Sequence, residues 1–543
     1  MSIKHITRLG LVSLFLAWSF DQLFWQKAPG ISFFIFVLMC LGAGIALTWH
    51  EHKRPAASSL FLIPAIVFFA LMTFLRLEPF TLFISRSLAS WGMVLLSLTW
   101  LGGQWWRYNV GDHLENTLRW IGYLLVKPVE TYGTARRQGG SGEFPAGSEA
   151  SPPSAMRITG RFQAKTIGSV LIGMLLALPV LLILAALLAE ADPIFARQLA
   201  GLLKILNLEN LAEYIIRLTY ILIGAYLLCG ALIYALLSSR DEKVRDAEKP
   251  RLPPFIGWVE GSTILASVNL LFAFFVVIQL RYFFGGRANI AIDGFTYSEY
   301  ARRGFGELVA VAFISLLLLL SLGMFTNRSG GWPRRTFSAL GIGLMGLVLV
   351  ILVSAFQRLL LYEAAYGFTR IRAYTHVFMV WLGVFLLLTV IIETLGRLRY
   401  FALVTVLIGF GFGLSLTLLN VDGLIVRQNM VRAVQGERLD TAYLISLSED
   451  AVPVLFEQFD SGRLTPAIQD DIGVVLACRM AMTEDPRSRP WPSFHWSREQ
   501  AARLFQSHQV QLAEYPVRRV DGVWKVTIHG VQEACWEGRD WGD

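Results

Sequence analysis

Phe337-Ser-Ala-Leu-Gly-Ile-Gly-Leu-Met-Gly-Leu-Val-Leu-Val-Ile-Leu-Val-Ser-Ala-Phe-Gln357 carries no charged side chain, while Arg334, Arg335 and Arg358 stand just outside it. About 20 apolar residues at 1.5 Å of rise each cover the hydrocarbon core of a bilayer, so this stretch is a membrane span. Comparable runs lie near 9–25, 31–49, 59–75, 81–101, 166–189, 214–237, 261–280, 304–325, 375–394 and 400–419, eleven with the first. The run at 9–25 has no small-residue cleavage motif ahead of Gln26 and Lys27, which makes it a retained helix and not a cleaved signal. Across all 543 residues 55% are hydrophobic and 16% charged, against about 25% charged in soluble proteins. The fold class that follows is all-α: a polytopic transmembrane helical bundle of about eleven spans with a small, mainly helical soluble C-terminal appendage.

Lysine and arginine set the expected orientation. With the N-terminus inside, inner loops hold nineteen basic residues close to spans and outer loops eleven, a bias toward N-inside and, for an odd number of spans, C-outside. The net charge of +8 divides into +13 before Asn420 and −5 after it. Basic loops beside a membrane face anionic lipid, and nothing in the chain resembles a nucleic-acid-binding motif. Membrane lipids are the expected partners, together with a protein partner at the outer face.

Composition divides the chain into four regions. Residues 1–102 form an N-terminal block of four spans. In 103–165, Leu114, Leu118, Ile121, Leu124 and Leu125 have helical spacing and mark an amphipathic helix at the inner surface, followed by a linker rich in Gly, Ser and Pro at 138–154. Residues 166–419 form the main block of seven spans. Asp192-Pro193 reads as a helix cap, and Gly409, Gly411 and Gly413 as glycines that allow close helix contact, including a GxxxG pair. Residues 420–543 are too polar to span. Helices are expected at 439–459, 464–482 and 497–505, the last capped by Ser497, with a strand at 523–528. Cys478 and Cys535 can form a disulfide if this region faces an oxidising compartment, and two free thiols are an equal alternative because the sequence does not fix their separation in space.

Charged and aromatic residues concentrate where spans leave the membrane on the expected outer side. Glu299, Arg303 and Glu307 are spaced by four, as are Arg358, Tyr362 and Tyr366, with Glu363 adjacent; Asp422 and Arg427 close the last span, and Asp21 to Trp25 the first. Of these, Glu299, Arg303, Glu307, Arg358, Tyr362, Glu363, Tyr366, Asp422 and Arg427 are the candidate outer-face polar cluster. The bland reading, favoured here, is that they pair to hold helices in register and anchor them at the interface. No Asp, Glu, Lys, Arg or His lies near the middle of any span, which argues against a proton-coupled pump. The eight histidines are scattered, and there is no Walker A loop, GxSxG elbow or HExxH, so no metal, cofactor or soluble-enzyme chemistry is expected.

Ala189 to Phe195, Phe272 to Gly286 with Gln279, Tyr297 to Leu308, Arg358 to Tyr374 and Asn420 to Asn429 resemble, in order, the landmarks of a bacterial family of multi-pass membrane proteins known only as a domain of unknown function. The resemblance covers about residues 160–455. It implies the architecture and a place in the bacterial cell envelope, in the cytoplasmic membrane, and brings no catalytic residue. Three functions compete. The first is a non-catalytic envelope protein that binds a partner, lipid or signal at its outer face. The second is a transporter or flippase. The third is a membrane-embedded transferase acting on a lipid-linked substrate, with Glu299, Glu307, Glu363 or Asp422 as acid or base.

Overall fold

The computed structural model describes residues 3–138, scattered positions between 177 and 198, and 211–240, 255–284, 305–327, 331–483 and 488–535. Among the described residues, nine helices are long and apolar enough to cross a membrane. In chain order the long helices are α1 (Ile3–Phe24), α2 (Ile31–His50), the pair α3 (Ala57–Leu60) and α4 (Leu62–Leu75) that makes one span, and α5 (Pro79–Thr99). Then come α6 (Val110–Gln138), α7 (Leu211–Ile233), α8 (Trp258–Phe284), α9 (Phe305–Phe325), α10 (Gly331–Tyr366), α11 (Arg370–Thr394) and α12 (Phe401–Leu419). Two of the eleven expected spans stand apart from the nine. The helix α1 has the length but includes Lys4, Arg8 and Asp21, and most of the run near 166–189 lies outside the described residues, as does Pro179 within it. Asp192 accepts a hydrogen bond from the Ile194 N–H at 2.8 Å, the cap expected there.

The chain forms two compact units, one of Met1–Gln26, Met39–Leu47 and Arg119–Ser238, the other of Lys27–Leu38, Thr48–Leu118 and Ser239–Asp543. In the first, α1 runs along α7, with room beside Ala17 for a Cβ at Gly224. Gly230 lets α7 approach the α6 backbone at Leu124 more closely than any side chain would permit.

In the second unit, α8 to α11 close around a core that includes Leu265, Ala312, Leu344, Val348, Ile351 and Leu386. Asn269 is the polar rivet between α8 and α10, donating to the Leu340 carbonyl at 3.0 Å. The 36 residues of α10 rise roughly 54 Å, well beyond a hydrocarbon core of about 30 Å, so its last turns leave the apolar layer. Helix α12 packs on α5 and α11 through small residues. The glycines responsible are Gly411, pressed on the Trp381 ring, and Gly413, pressed on Leu88, Ile84 and Phe69, whereas a Cβ at Gly409 would meet nothing. The close contact expected of Gly411 and Gly413 is present, while the GxxxG pairing of Gly409 with Gly413 is corrected: the tight glycines are spaced by two because α12 has neighbours on two sides.

Asn420, at φ 45°, turns the chain out of α12 into α13 (Val421–Val434) and caps it through the Gly423 N–H. The C-terminal region continues with α14 (Thr441–Ile445), α15 (Val452–Phe459), α16 (Pro466–Met482), α17 (Trp496–Ser507) and α18 (Gln509–Leu512). An antiparallel sheet follows, β1 (Val517–Val520), β2 (Val523–Ile528) and β3 (Val531–Ala534), in the order β1-β2-β3. Asp521-Gly522 and His529-Gly530 all have positive φ, the signature of two-residue hairpin turns. Cys478 on α16 and Cys535 after β3 are joined by a disulfide, with their Cα atoms 5.6 Å apart. One core spans this region and the helix ends beneath it, from Ala373 and Leu416 to Ile425, Leu455, Ile472 and Val526.

Two expectations for this region need correction. The helix expected over 439–459 is broken into α14 and α15, because Arg479 takes the carbonyls of Leu444, Ile445, Leu447 and Ser448 and Pro453 starts a new helix. Ser497 does not cap α17, which begins after His495; its hydroxyl is engaged elsewhere.

Candidate functional site

Asp422 sits in the first turn of α13, fully buried, where a carboxylate needs compensation. Arg370, the first residue of α11, supplies it in a fork: Nε to Oδ1 at 2.8 Å and Nη2 to Oδ2 at 2.7 Å, with the Ser448 N–H adding a third bond at 2.6 Å. The Arg370 N–H donates to the Tyr443 hydroxyl at 2.7 Å, and burial raises the pKa of that phenol. The ion pair therefore ties the entry of a membrane helix to the start of the C-terminal region.

A second tie forms at the turn between α4 and α5. Glu78 caps α5 by accepting from the Phe80 and Thr81 N–H groups at 3.0 and 2.7 Å, and also accepts from the Tyr374 hydroxyl. Asp450, from the C-terminal region, accepts from the Leu77 and Glu78 N–H groups at 2.8 and 2.9 Å and from the Ser497 hydroxyl. Ser497 also donates to the Leu75 carbonyl at 2.6 Å, at the end of α4. Burial nonetheless pushes the Asp450 pKa upward.

Three further contacts seal the same face. The N–H groups of Gly30 and Ile31 donate to the carbonyls of Pro492 and Phe494 at 3.2 and 3.0 Å. Any side chain at position 30 would collide with that backbone, so glycine is required. His495 beside them is buried, and desolvation with the neighbouring Arg498 lowers its pKa to about 4. Asn429 spans Phe368, accepting from its N–H at 2.8 Å and donating to its carbonyl at 2.9 Å.

The residues singled out from sequence are distributed unevenly over this frame. Asp422 is at its centre. Glu363 is buried near the end of α10, with one carboxylate oxygen 2.9 Å from His376 Nδ1. Tyr362 and Tyr366 meet with ring centroids 5.0 Å apart and planes tilted by 59°, and Arg372 lies over the Tyr362 ring at 4.1 Å. Arg358 precedes them on the same helix. Arg427 points outward to Glu457 at 3.6 Å, both side chains exposed. Glu307 is exposed in the first turn of α9, and Glu299 and Arg303 lie outside the described residues. Asp21 has its own partners within the first unit. Arg217 Nε donates to it at 2.9 Å, Tyr220 donates as well, and Trp25 stacks on Tyr220 at 5.5 Å.

The strongest ties involve residues outside the expected cluster: Glu78, Arg370, Asp450, Arg479 and Ser497. A few left a sequence signal. Glu78-Pro79 has the form of a helix start, and Arg479 is a lone cation in the apolar run Val474 to Met482, which calls for buried partners. Burial lowers the Arg479 pKa, while four carbonyls hold its guanidinium. Among the described residues, no group of three His, Cys, Asp or Glu is placed to hold a metal ion.

Between the bundle end and the C-terminal region lies a polar cavity of about 240 Å³, walled by Arg76 and Asn420 on one side and Arg427, Asp450, Glu457, Ser497 and Gln500 on the other. Helices of spanning length and this docked C-terminal region define a multi-pass integral membrane protein. Residues 9–458 match the family model described as Domain of unknown function (DUF4153), and the chain belongs to that family. The match takes in Glu78, Arg370, Asp422 and Asp450 and ends inside α15, ahead of Cys478, Arg479 and Ser497. No curated protein and no solved structure matches the chain.

Proposed function

We propose that this is a non-catalytic protein of the bacterial cytoplasmic membrane, with its N-terminus inside and its C-terminal region outside, and that it binds a partner at the outer face. The observation that carries this reading is the commitment of the Asp422 and Asp450 carboxylates to structural partners beside a polar cavity. Asp422 is held by Arg370, and Asp450 by two backbone N–H groups and Ser497. A transferase would keep such a carboxylate for a substrate. The cavity draws its wall from both the bundle and the C-terminal region, so an occupant would bear on their union. The disulfide supports the outside placement, since such bonds persist in oxidising compartments, and the loop bias of nineteen basic residues against eleven points the same way.

Photo-crosslinking in cells tests the reading, with the reactive side chain at Gln500 in the cavity wall or at Val510, exposed and away from it. A discrete adduct from position 500, absent from position 510 and lost when Val454→Trp fills the cavity, is the expected result. No adduct, or one common to both positions, contradicts it.

A further inference from the structure

The opposite end of the second unit has a different character. There α9, α10, α11 and α12 leave a groove of about 650 Å³, within the about 300–1,000 Å³ typical of small-ligand sites. Its walls are apolar, with Leu320, Ile342, Met345, Val390 and Phe401 among them, and its polar groups are few, chiefly Glu393 and Arg399. The first turn of α6 completes the wall through Asn109 and Leu114. That turn is fixed by a reciprocal cap, in which the Asp112 N–H donates to Asn109 Oδ1 at 2.8 Å and the Asn109 N–H to Asp112 Oδ2 at 3.1 Å.

Two observations place this groove at a membrane boundary. Val110, Leu114 and Leu118 follow one another at four-residue spacing along α6 and are 62%, 60% and 59% exposed, a face that water does not tolerate and a lipid surface does. Trp332, at the start of α10, is exposed at the same end, as interfacial tryptophans are. Charge then selects the occupant. Arg107, Arg334, Arg335, Arg397 and Arg399 are all exposed around this end, and Arg334 reaches to Gly396 in the α11–α12 turn. Among the described residues, Glu393 is the one carboxylate of the groove lining.

We infer that the groove is a binding site for an anionic glycerophospholipid with a hydroxylated head group, one acyl chain lying between α9 and α10, its phosphate on Arg399 and its hydroxyls on Glu393. Guanidinium groups pair with phosphate in a fork, and a carboxylate accepts from hydroxyls. The apolar walls match the acyl chain. A bulk lipid would meet the same walls without selection by head group; the arginine rim adds the selection.

Native mass spectrometry of the purified full chain tests this, with phosphatidylglycerol, phosphatidylethanolamine and phosphatidylcholine of matched acyl chains. The wild type should retain phosphatidylglycerol about tenfold more than phosphatidylcholine, the contribution of one or two interfacial arginines. Ile342→Trp and, independently, Leu320→Trp should remove the retained lipid while the purified protein still unfolds cooperatively. The double change Arg397→Gln with Arg399→Gln should keep a bound lipid and lose the preference. Equal retention of the three lipids, a preference for phosphatidylethanolamine, or undiminished phosphatidylglycerol in both filled variants would overturn the inference.

Discussion

At the end of the second unit that carries the C-terminal region, Arg370 has its guanidinium fork locked on a buried aspartate. At the other end, Arg399 is exposed beside an apolar groove. The first end spends its charges internally: Asp422, Glu78, Asp450 and Arg479 are each buried and each hydrogen-bonded to backbone or side chain. Buried ions of this kind are costly to strand and specific in geometry, so they fix how the C-terminal region sits on the helix ends. At the second end Arg334, Arg335, Arg397 and Arg399 are exposed, with Arg399 donating to the adjacent Tyr400 hydroxyl at 2.9 Å and lying over that ring. Charge that is enclosed builds the molecule, and charge that is exposed stays within reach of what surrounds it.

The comparison breaks most readily at Arg370. Arg370→Ala strands Asp422 in the interior and should destabilise the docked region by about 3–5 kcal/mol; limited proteolysis of the purified protein should then release a fragment beginning near α13. If the wild-type pattern persists, the enclosed pair is not what holds the region. Next in size is the disulfide, which closes a separation of 57 residues. Cys478→Ala with Cys535→Ala should lower stability by about 2–4 kcal/mol, read as a fall in the unfolding temperature of the C-terminal region.

His495 supplies a pH dependence of comparable or smaller size. Burial and Arg498 lower its folded-state pKa from 6.5 to about 4, with Arg86 adding to the shift and Glu449 opposing it. The native state thus excludes a proton that the unfolded chain takes up. Its contribution is fully present above about pH 6.5 and is lost as pH falls through about 4, at most about 3 kcal/mol. Thermal unfolding across that window should flatten in His495→Gln relative to wild type. The smallest effect belongs to Arg427, whose pair with Glu457 is exposed on both sides. Arg427→Ala should change stability by less than about 1 kcal/mol, and a loss near that of Arg370→Ala would erase the distinction between enclosed and exposed charge.

The membrane spans were legible because their signal is local: apolar length alone names Phe337 to Gln357 and its counterparts. The strand at 523–528 was legible for the same reason, from its alternation. The hairpins on either side of it were signalled by Asp521-Gly522 and His529-Gly530, though neither was read as a turn. The site was only partly legible. Asp422 was found from its position at a span end, but Arg370, 52 residues away, and Asp450, which reaches the α4–α5 turn across 373 residues, become partners only through tertiary packing. The break between α14 and α15 has the same cause, since Arg479 lies more than 30 residues downstream of the carbonyls it takes. Spacing by four found the stripe Tyr362 and Tyr366, which are neighbours on one helix, and could not find His376 for Glu363, which lies on the next.

The central claim, an outward C-terminal region locked onto the bundle end, is tested most directly by the side on which that region lies. Val510 is 86% exposed, so Val510→Cys offers a reporter thiol on the surface of the region. A membrane-impermeant maleimide added to intact spheroplasts should label it at once and to the same extent as after lysis. Labelling that appears only once the membrane is opened would put the region inside and contradict the account.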